Sequence, residues 1–227
     1  MAGLLVGCPW IPDNVSDPGD EAPGDDDSVD SPLTCEYPDV PSSDPEGNDT
    51  LAGVTARHNY WRARVGVDTL QWNETLAAEA QAHADKGVFE YDSNRNSTSS
   101  GFSHVGENIY FESPGATATE AVDEWAGERS TYDFGTTIET SPQPEFLPYT
   151  QVVWDDTTDV GCGYYQGEVE FSDGSTLDGT FIVCRYGPAG NWGGETPYDF
   201  TDAPCVDLDN DDTVQKDDSD DTDRTVQ

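Results

Sequence analysis

The sequence predicts an α+β domain, helices packed on an antiparallel sheet, flanked by two disordered acidic tails. Three observations carry this expectation. Helical periods come first, between residues 51 and 129; β-rich runs come last, from Tyr149; both ends are acidic and lack apolar periodicity. Helices followed by strands imply segregated layers rather than an alternating parallel sheet.

In chain order, Leu51, Val54, His58, Trp61 and Val65 recur at alternating intervals of three and four, the apolar face of a first helix. Asn73 is placed to cap a second helix through "ETLAAEAQAHADK", stopped at Gly87, with Leu76, Ala80, His83 and Ala84 along one side. Thr117 and Glu120 form a capping box for a third, "ATEAVDEWAGER". From Tyr149 the period shortens. "YTQVVW", "GCGYYQGEVEF" and "TFIVCRY" read as strands, the last two joined by a turn at "SDGS".

Charge dominates the composition: nine Lys+Arg against 47 Asp+Glu, a net −38 over 227 residues. Residues 1–50 hold 13 acidic and no basic side chains, residues 201–227 hold ten and two, and 24 and seven remain between them. The middle of the chain is therefore near −17, with Lys86 as its single lysine. Such a surface repels a phosphate backbone, so nucleic-acid binding by counterion release is excluded. Two readings fit the imbalance: a halophilic protein kept soluble where salt screens self-repulsion, or acidic tails on an ordinary acidic domain.

The expected organisation is a truncated lipoprotein signal at 1–8, an acidic linker at 9–50, one folded domain at 51–200 and an acidic tail at 201–227. "LLVGC", ending at Cys8, resembles a bacterial lipobox, in which the cysteine is lipidated, although "MAGLLVG" lacks a basic n-region. Either the start lies further upstream or the run arises by chance. No stretch approaches the ~18–20 apolar residues of a membrane span, so membrane association would run only through that anchor. Asp207, Asp209 and Asp211 alternate as in a calcium loop, but Asp212 replaces the turn glycine and no glutamate closes the frame. None of the five cysteines forms a C-x-x-C pair, which excludes a zinc ribbon and a thioredoxin-like motif.

The three histidines divide into two kinds. His58 and His83 lie on apolar helical faces, where a hydrogen-bonded core role is expected. His104 lies in a Gly-containing loop, three residues before Glu107 in "FSHVGENIY". On the third helix, Glu128 falls at i+3 from Trp125 and i+7 from Ala121, on the stripe that should meet the sheet. A carboxylate there needs a partner, because burying its charge alone costs several kcal/mol. His104, Glu107 and Glu128 together would make a cluster of the kind used for metal binding or proton transfer. Alternatively, Glu128 sits at a frayed helix end and pairs with Arg129 or solvent.

Taken in order over residues 51–198, these segments resemble the CAP superfamily, or SCP-like domains: cysteine-rich secretory proteins, antigen 5 and plant pathogenesis-related proteins. "LAGVTARHNYWRARVGVDTLQWNETLAAEAQAHA" resembles the family's two opening helices, "HVGENI" its His-then-GEN motif, and "VDEWAGERSTYDF" its tryptophan helix ending in glutamate. "YTQVVWDDTTDVGCG" and "FIVCRYGPAGNWGGETPY" resemble the two family signatures. The resemblance implies an exported α-β-α sandwich with Cys162 bonded to Cys184. Cys35 and Cys205, one at each end of the domain, are then candidates for a second disulfide. It also implies a central cleft with two histidines and two glutamates, which binds zinc in some members. His104, Glu107 and Glu128 match three of those four positions. Pro148 stands where the second histidine belongs, immediately before "YTQ", with Tyr149 and Gln151 as possible substitutes in the cleft. Proline offers no ligand atom, so affinity for zinc or another divalent cation is expected to fall.

The resemblance implies a non-catalytic, extracellular or cell-surface binding module, monomeric, for a lipid, an apolar ligand or a partner protein. The alternatives are a divalent-metal hydrolase with Glu107 or Glu128 as general base, and a structural spacer with a degenerate cleft. No Ser-His-Asp or Cys-His arrangement and no G-x-S-x-G is present. Asn14, Asn48, Asn73 and Asn96 head N-x-S/T sequons, patterns short enough to arise by chance. Intact-mass analysis of the mature protein is expected to find Cys35 and Cys205 oxidised; two free thiols would exclude the second disulfide.

Overall fold

A computed structural model describes residue 46 and residues 50–112, 114–139 and 144–199. Cys8, Cys35, Cys205, the Asp207–Asp211 repeat and both tails lie outside the described residues.

The first helix, α1 (Val54–Arg64), buries Val54, His58 and Arg62. Arg62 carries its charge into the core because its guanidinium donates to the backbone carbonyls of Asp68, Val152, Trp154 and Thr157. One side chain thereby satisfies acceptors in two loops that would otherwise be buried unpaired. After the short strand β1 (Gln71–Trp72), Asn73 caps α2 (Glu74–Ala84) by accepting from the amides of Thr75 and Leu76. Its Nδ2 donates to Asp159, so both ends of this sequon side chain are engaged.

The loop predicted around Glu107 contains a strand, β2 (Gly106–Glu112). Then α3 (Ala118–Gly127) begins on the expected capping box and ends two residues early, continuing as a 3₁₀ turn, Glu128–Thr131. The expected strand "YTQVVW" is a correction: these residues lie in α4 (Leu147–Val152) and the turn that follows it. Pro148 near the helix start fixes φ for helix entry, and every residue from Tyr149 to Trp154 is buried. Burial on all sides, which no period-2 strand pattern requires, lets tertiary context outweigh the β-propensity of the run. The hairpin β3 (Asp159–Glu170) and β4 (Thr176–Gly187) follows the prediction.

The sheet runs β1-β3-β4-β2, with β1 parallel to β3 and the remaining pairs antiparallel. Along β4, Phe181 and Val183 face a core with Ala80 and Ala84 of α2, whereas Ile182, Cys184 and Tyr186 face α1, α3 and α4. Helices thus cover both faces, the α-β-α sandwich expected. Gly161 and Gly163 permit the close approach of α2, since a Cβ at either position would collide with α2 backbone. Cys162 and Cys184 oppose one another across β3 and β4 and are disulfide-bonded, with Cα atoms 4.1 Å apart.

Both helical histidines are core residues. His58 Nδ1 lies 2.8 Å from the Val54 carbonyl, so that nitrogen carries the proton; Nε2 accepts from the Tyr186 hydroxyl at 2.9 Å. Burial lowers the His58 pKa to about 4. Between that value and its ordinary 6.5 only the unfolded chain takes up this proton, so stability falls as pH drops through the window. Chemical denaturation across pH 7 to 4 should show this component, about 3 kcal/mol, in the wild type and not in His58→Gln.

Candidate functional site

The sheet order leaves β2 at an edge. Along this edge runs a groove of about 640 Å³ lined by Phe89, Tyr91, Ile109, Phe111, Trp125 and Glu128, among others. Ile109 and Phe111 belong to the α2 face of the sheet and Tyr110 to the opposite face, yet all three line the groove. The groove therefore wraps the strand edge and is open to both faces. Its far wall is the end of α3, with Gly127 and Glu128, and its floor reaches Pro148 at the start of α4.

Glu128 lines this groove, whereas Glu107, two residues before Ile109 on β2, has a different environment. Glu107 is buried beside Arg185: its Oε2 accepts from Arg185 Nε at 3.3 Å and its Oε1 from the Asp92 amide at 2.7 Å. Burial raises its pKa, opposed by that amide bond and the charge of Arg185. Arg185 also pairs with Asp92 and lies 3.7 Å from Glu79. Three carboxylates thus converge on one guanidinium and pin the 91–100 loop, where Thr98 and Ser99 donate to Glu79. Glu128 accepts the Tyr149 amide, while its Oε2 is buried with no hydrogen-bond partner among the described residues. Burial, with the Glu145 charge adding to it, raises the Glu128 pKa to about 7. Tyr91, 56% exposed, stands within the fields of both Glu128 and Glu107.

His104 is not part of this arrangement. It is exposed, its ring meets Trp192 edge-on at 5.0 Å, and its carbonyl accepts from the Ala189 amide. The single residue between it and Gly106, where β2 starts, holds it at the sheet's end while Glu107 turns toward Arg185. The expected cluster of His104 with Glu107 and Glu128 is therefore not assembled. Tyr149 and Gln151 do not substitute in the cleft either. The Tyr149 hydroxyl lies 3.0 Å from that of Tyr198 in the core, and the Gln151 amide binds the Gly190 amide and the Thr157 hydroxyl. Pro148 does contribute through its backbone: its carbonyl accepts from Asn108 Nδ2 at 3.0 Å.

The donor set does not fit a zinc ion. Among the described residues no three His, Cys, Asp or Glu side chains are placed to hold a metal, and both Glu107 oxygens are engaged. The arrangement offers instead an aromatic groove with one carboxyl that titrates near neutrality.

Sequence reasoning passed over Tyr91, Asp92 and Arg185. The first two sit in the polar stretch "YDSNRNSTSSG", which carries no periodic signal. Arg185 did carry a signal: a charge within "FIVCRY" needs a buried partner.

A sequence model of the Cysteine-rich secretory protein family, CAP, matches residues 55–186. Pathogenesis-related leaf protein 6 of Solanum lycopersicum is 34% identical over 153 residues, covering 67% of this chain and 86% of its own length. Cysteine-rich secretory protein 3 of Homo sapiens is 30% identical over 160 residues, covering 67% of this chain but only 62% of the human protein, short of two thirds. Among solved structures, Schistosoma mansoni venom allergen-like protein 4 superposes with a TM-score of 0.53 at 23% identity, covering 68% of this chain and 96% of that one.

Because the raised pKa favours the protonated form, Glu128 opposes folding increasingly as pH rises from its ordinary 4.5 to about 7. Thermal unfolding should show Glu128→Gln gaining stability over wild type at pH 8, with the gain closing toward pH 4.5.

Proposed function

The chain belongs to the cysteine-rich secretory protein (CAP) family, and from that premise we propose that it is an exported, non-catalytic binding module whose β2-edge groove takes an apolar ligand. The observation that carries this reading is the composition of the groove. Five aromatic side chains, Phe89, Tyr91, Tyr110, Phe111 and Trp125, line a concave surface that also presents Ile109 and Pro148. Apolar lining with a few fixed polar groups is the usual make-up of a small-ligand site, where burial drives binding and polar atoms set orientation. Glu128 supplies the polar element, and near neutrality it can stand as a neutral donor or a charged acceptor.

The family name, and the secretory name of the human relative, support export. No helix among the described residues is long and apolar enough to cross a membrane. A hydrolytic role has one supporting observation, the Glu128 pKa of about 7, which suits a general base. Among the described residues it has no second group, since Glu107 is committed to Arg185 and the Asp92 amide.

Gly127 gives a clean test. It lines the groove with open space around its missing Cβ, so a large side chain there fills the groove without disturbing the core. The neutral fluorophore N-phenyl-1-naphthylamine should bind wild type saturably. Gly127→Trp should lose that binding at least about tenfold while keeping the wild-type melting temperature, because a groove-filling side chain removes the buried apolar area. Equal binding by both proteins would place the apolar site elsewhere.

A further inference from the structure

We propose that the groove's occupant is an extended peptide alternating apolar and basic side chains, added as a fifth strand along β2. The inference rests on the groove reading above and names the partner's chemistry.

The backbone of β2 carries the first part of the argument. In an antiparallel strand, the N–H and C=O of one residue point to the same side, and successive residues alternate sides. The Ile109 carbonyl points away from β4, because it accepts from the Trp125 indole at 3.2 Å. Val105 has the same sense: its amide donates to Asn96 Oδ1 and its carbonyl accepts from Arg95 Nε. Residues 105, 107, 109 and 111 thus direct their backbone groups outward. Loop side chains cover Val105, and the Trp125 indole takes one group of Ile109. The Ile109 amide and both backbone groups of Phe111 face the groove. An edge left uncovered by the described residues in this way is a template for another strand.

Side chains of the added strand would alternate between the two sides of the edge, and those sides differ. On one lie Phe89, Ile109 and Phe111, all partly buried hydrophobics of the α2-side core. On the other lie Glu124 and Glu128, and the charges of Glu112, Glu124 and Glu120 all act on the Tyr110 hydroxyl there. Glu145 acts on Glu128 in the same way. Apolar residues suit the first side and Lys or Arg the second, and a domain near −17 draws a cationic segment toward it.

The full-length protein is immobilised and panned against a phage library of random nonapeptides. Enriched sequences should alternate apolar and basic residues. Fluorescence polarisation then compares one enriched peptide with two N-methylated forms, methylated on alternate residues in either register. One register should lose affinity about tenfold or more, since it deletes the amides that pair with β2, and the other should be unchanged. Glu128→Gln together with Glu124→Gln should weaken the same peptide and flatten its salt dependence. Absence of enrichment, or equal affinity for both methylated forms, overturns strand addition. If the neutral fluorophore binds and no peptide is enriched, the groove reading stands and this inference falls; if neither binds, both fall.

Discussion

The Tyr186 hydroxyl on β4 links α1, β2 and α4 on the sheet face opposite α2. It donates to His58 Nε2 on α1 and accepts from Asn108 Nδ2 on β2, while the same Asn108 amide group donates to the Pro148 carbonyl on α4. His58 closes the chain on the Val54 carbonyl. All of the side chains involved are almost fully buried. Each donor therefore has to meet its acceptor, since an orphaned group here costs its full desolvation. This chain of bonds sets the distance between β2 and α4, which are one wall and the floor of the groove.

A second buried network does the same work on the opposite face. Arg185 on β4 gathers Glu79 from α2, Glu107 from β2 and Asp92 from the 91–100 loop. The carboxylate that a metal site would use is consumed in this way by a structural cation. What remains at the edge is Glu128, raised in pKa by burial and by the Glu145 charge, with no countercharge acting on it among the described residues. The CAP fold is thus retained around a cleft whose chemistry differs from a histidine–glutamate cluster. Among the described residues that cleft presents aromatic surface along β2 with Glu128 beside it.

Much of this was legible in the sequence. Capping residues at Asn73 and Thr117 act only within a few positions, so their reading survived folding, and the β3–β4 hairpin carries its own turn. The fate of "YTQVVW" was not legible, because the all-round burial of this run exists only once α4 meets the core. The strand β2 was hidden by "GENIYFE", whose glycine and polar start read as loop. Glu107 and Glu128 were marked as special from spacing and family resemblance. His104 was joined to them by its loop position beside Glu107 and by the same family resemblance, yet residues close in sequence separate where a strand begins. The tertiary pairing of Arg185 with three carboxylates spans residues 79 to 185 and could be anticipated only as a requirement for some partner.

Amide chemical-shift mapping on the isotopically labelled chain, titrated with N-phenyl-1-naphthylamine, tests most directly whether the β2 edge is the working surface. Shifts concentrated at Ile109, Phe111, Gly127 and Tyr149, with His104 and Trp192 unmoved, are the predicted result. Shifts centred on His104 and Trp192, with the β2 edge silent, would contradict it.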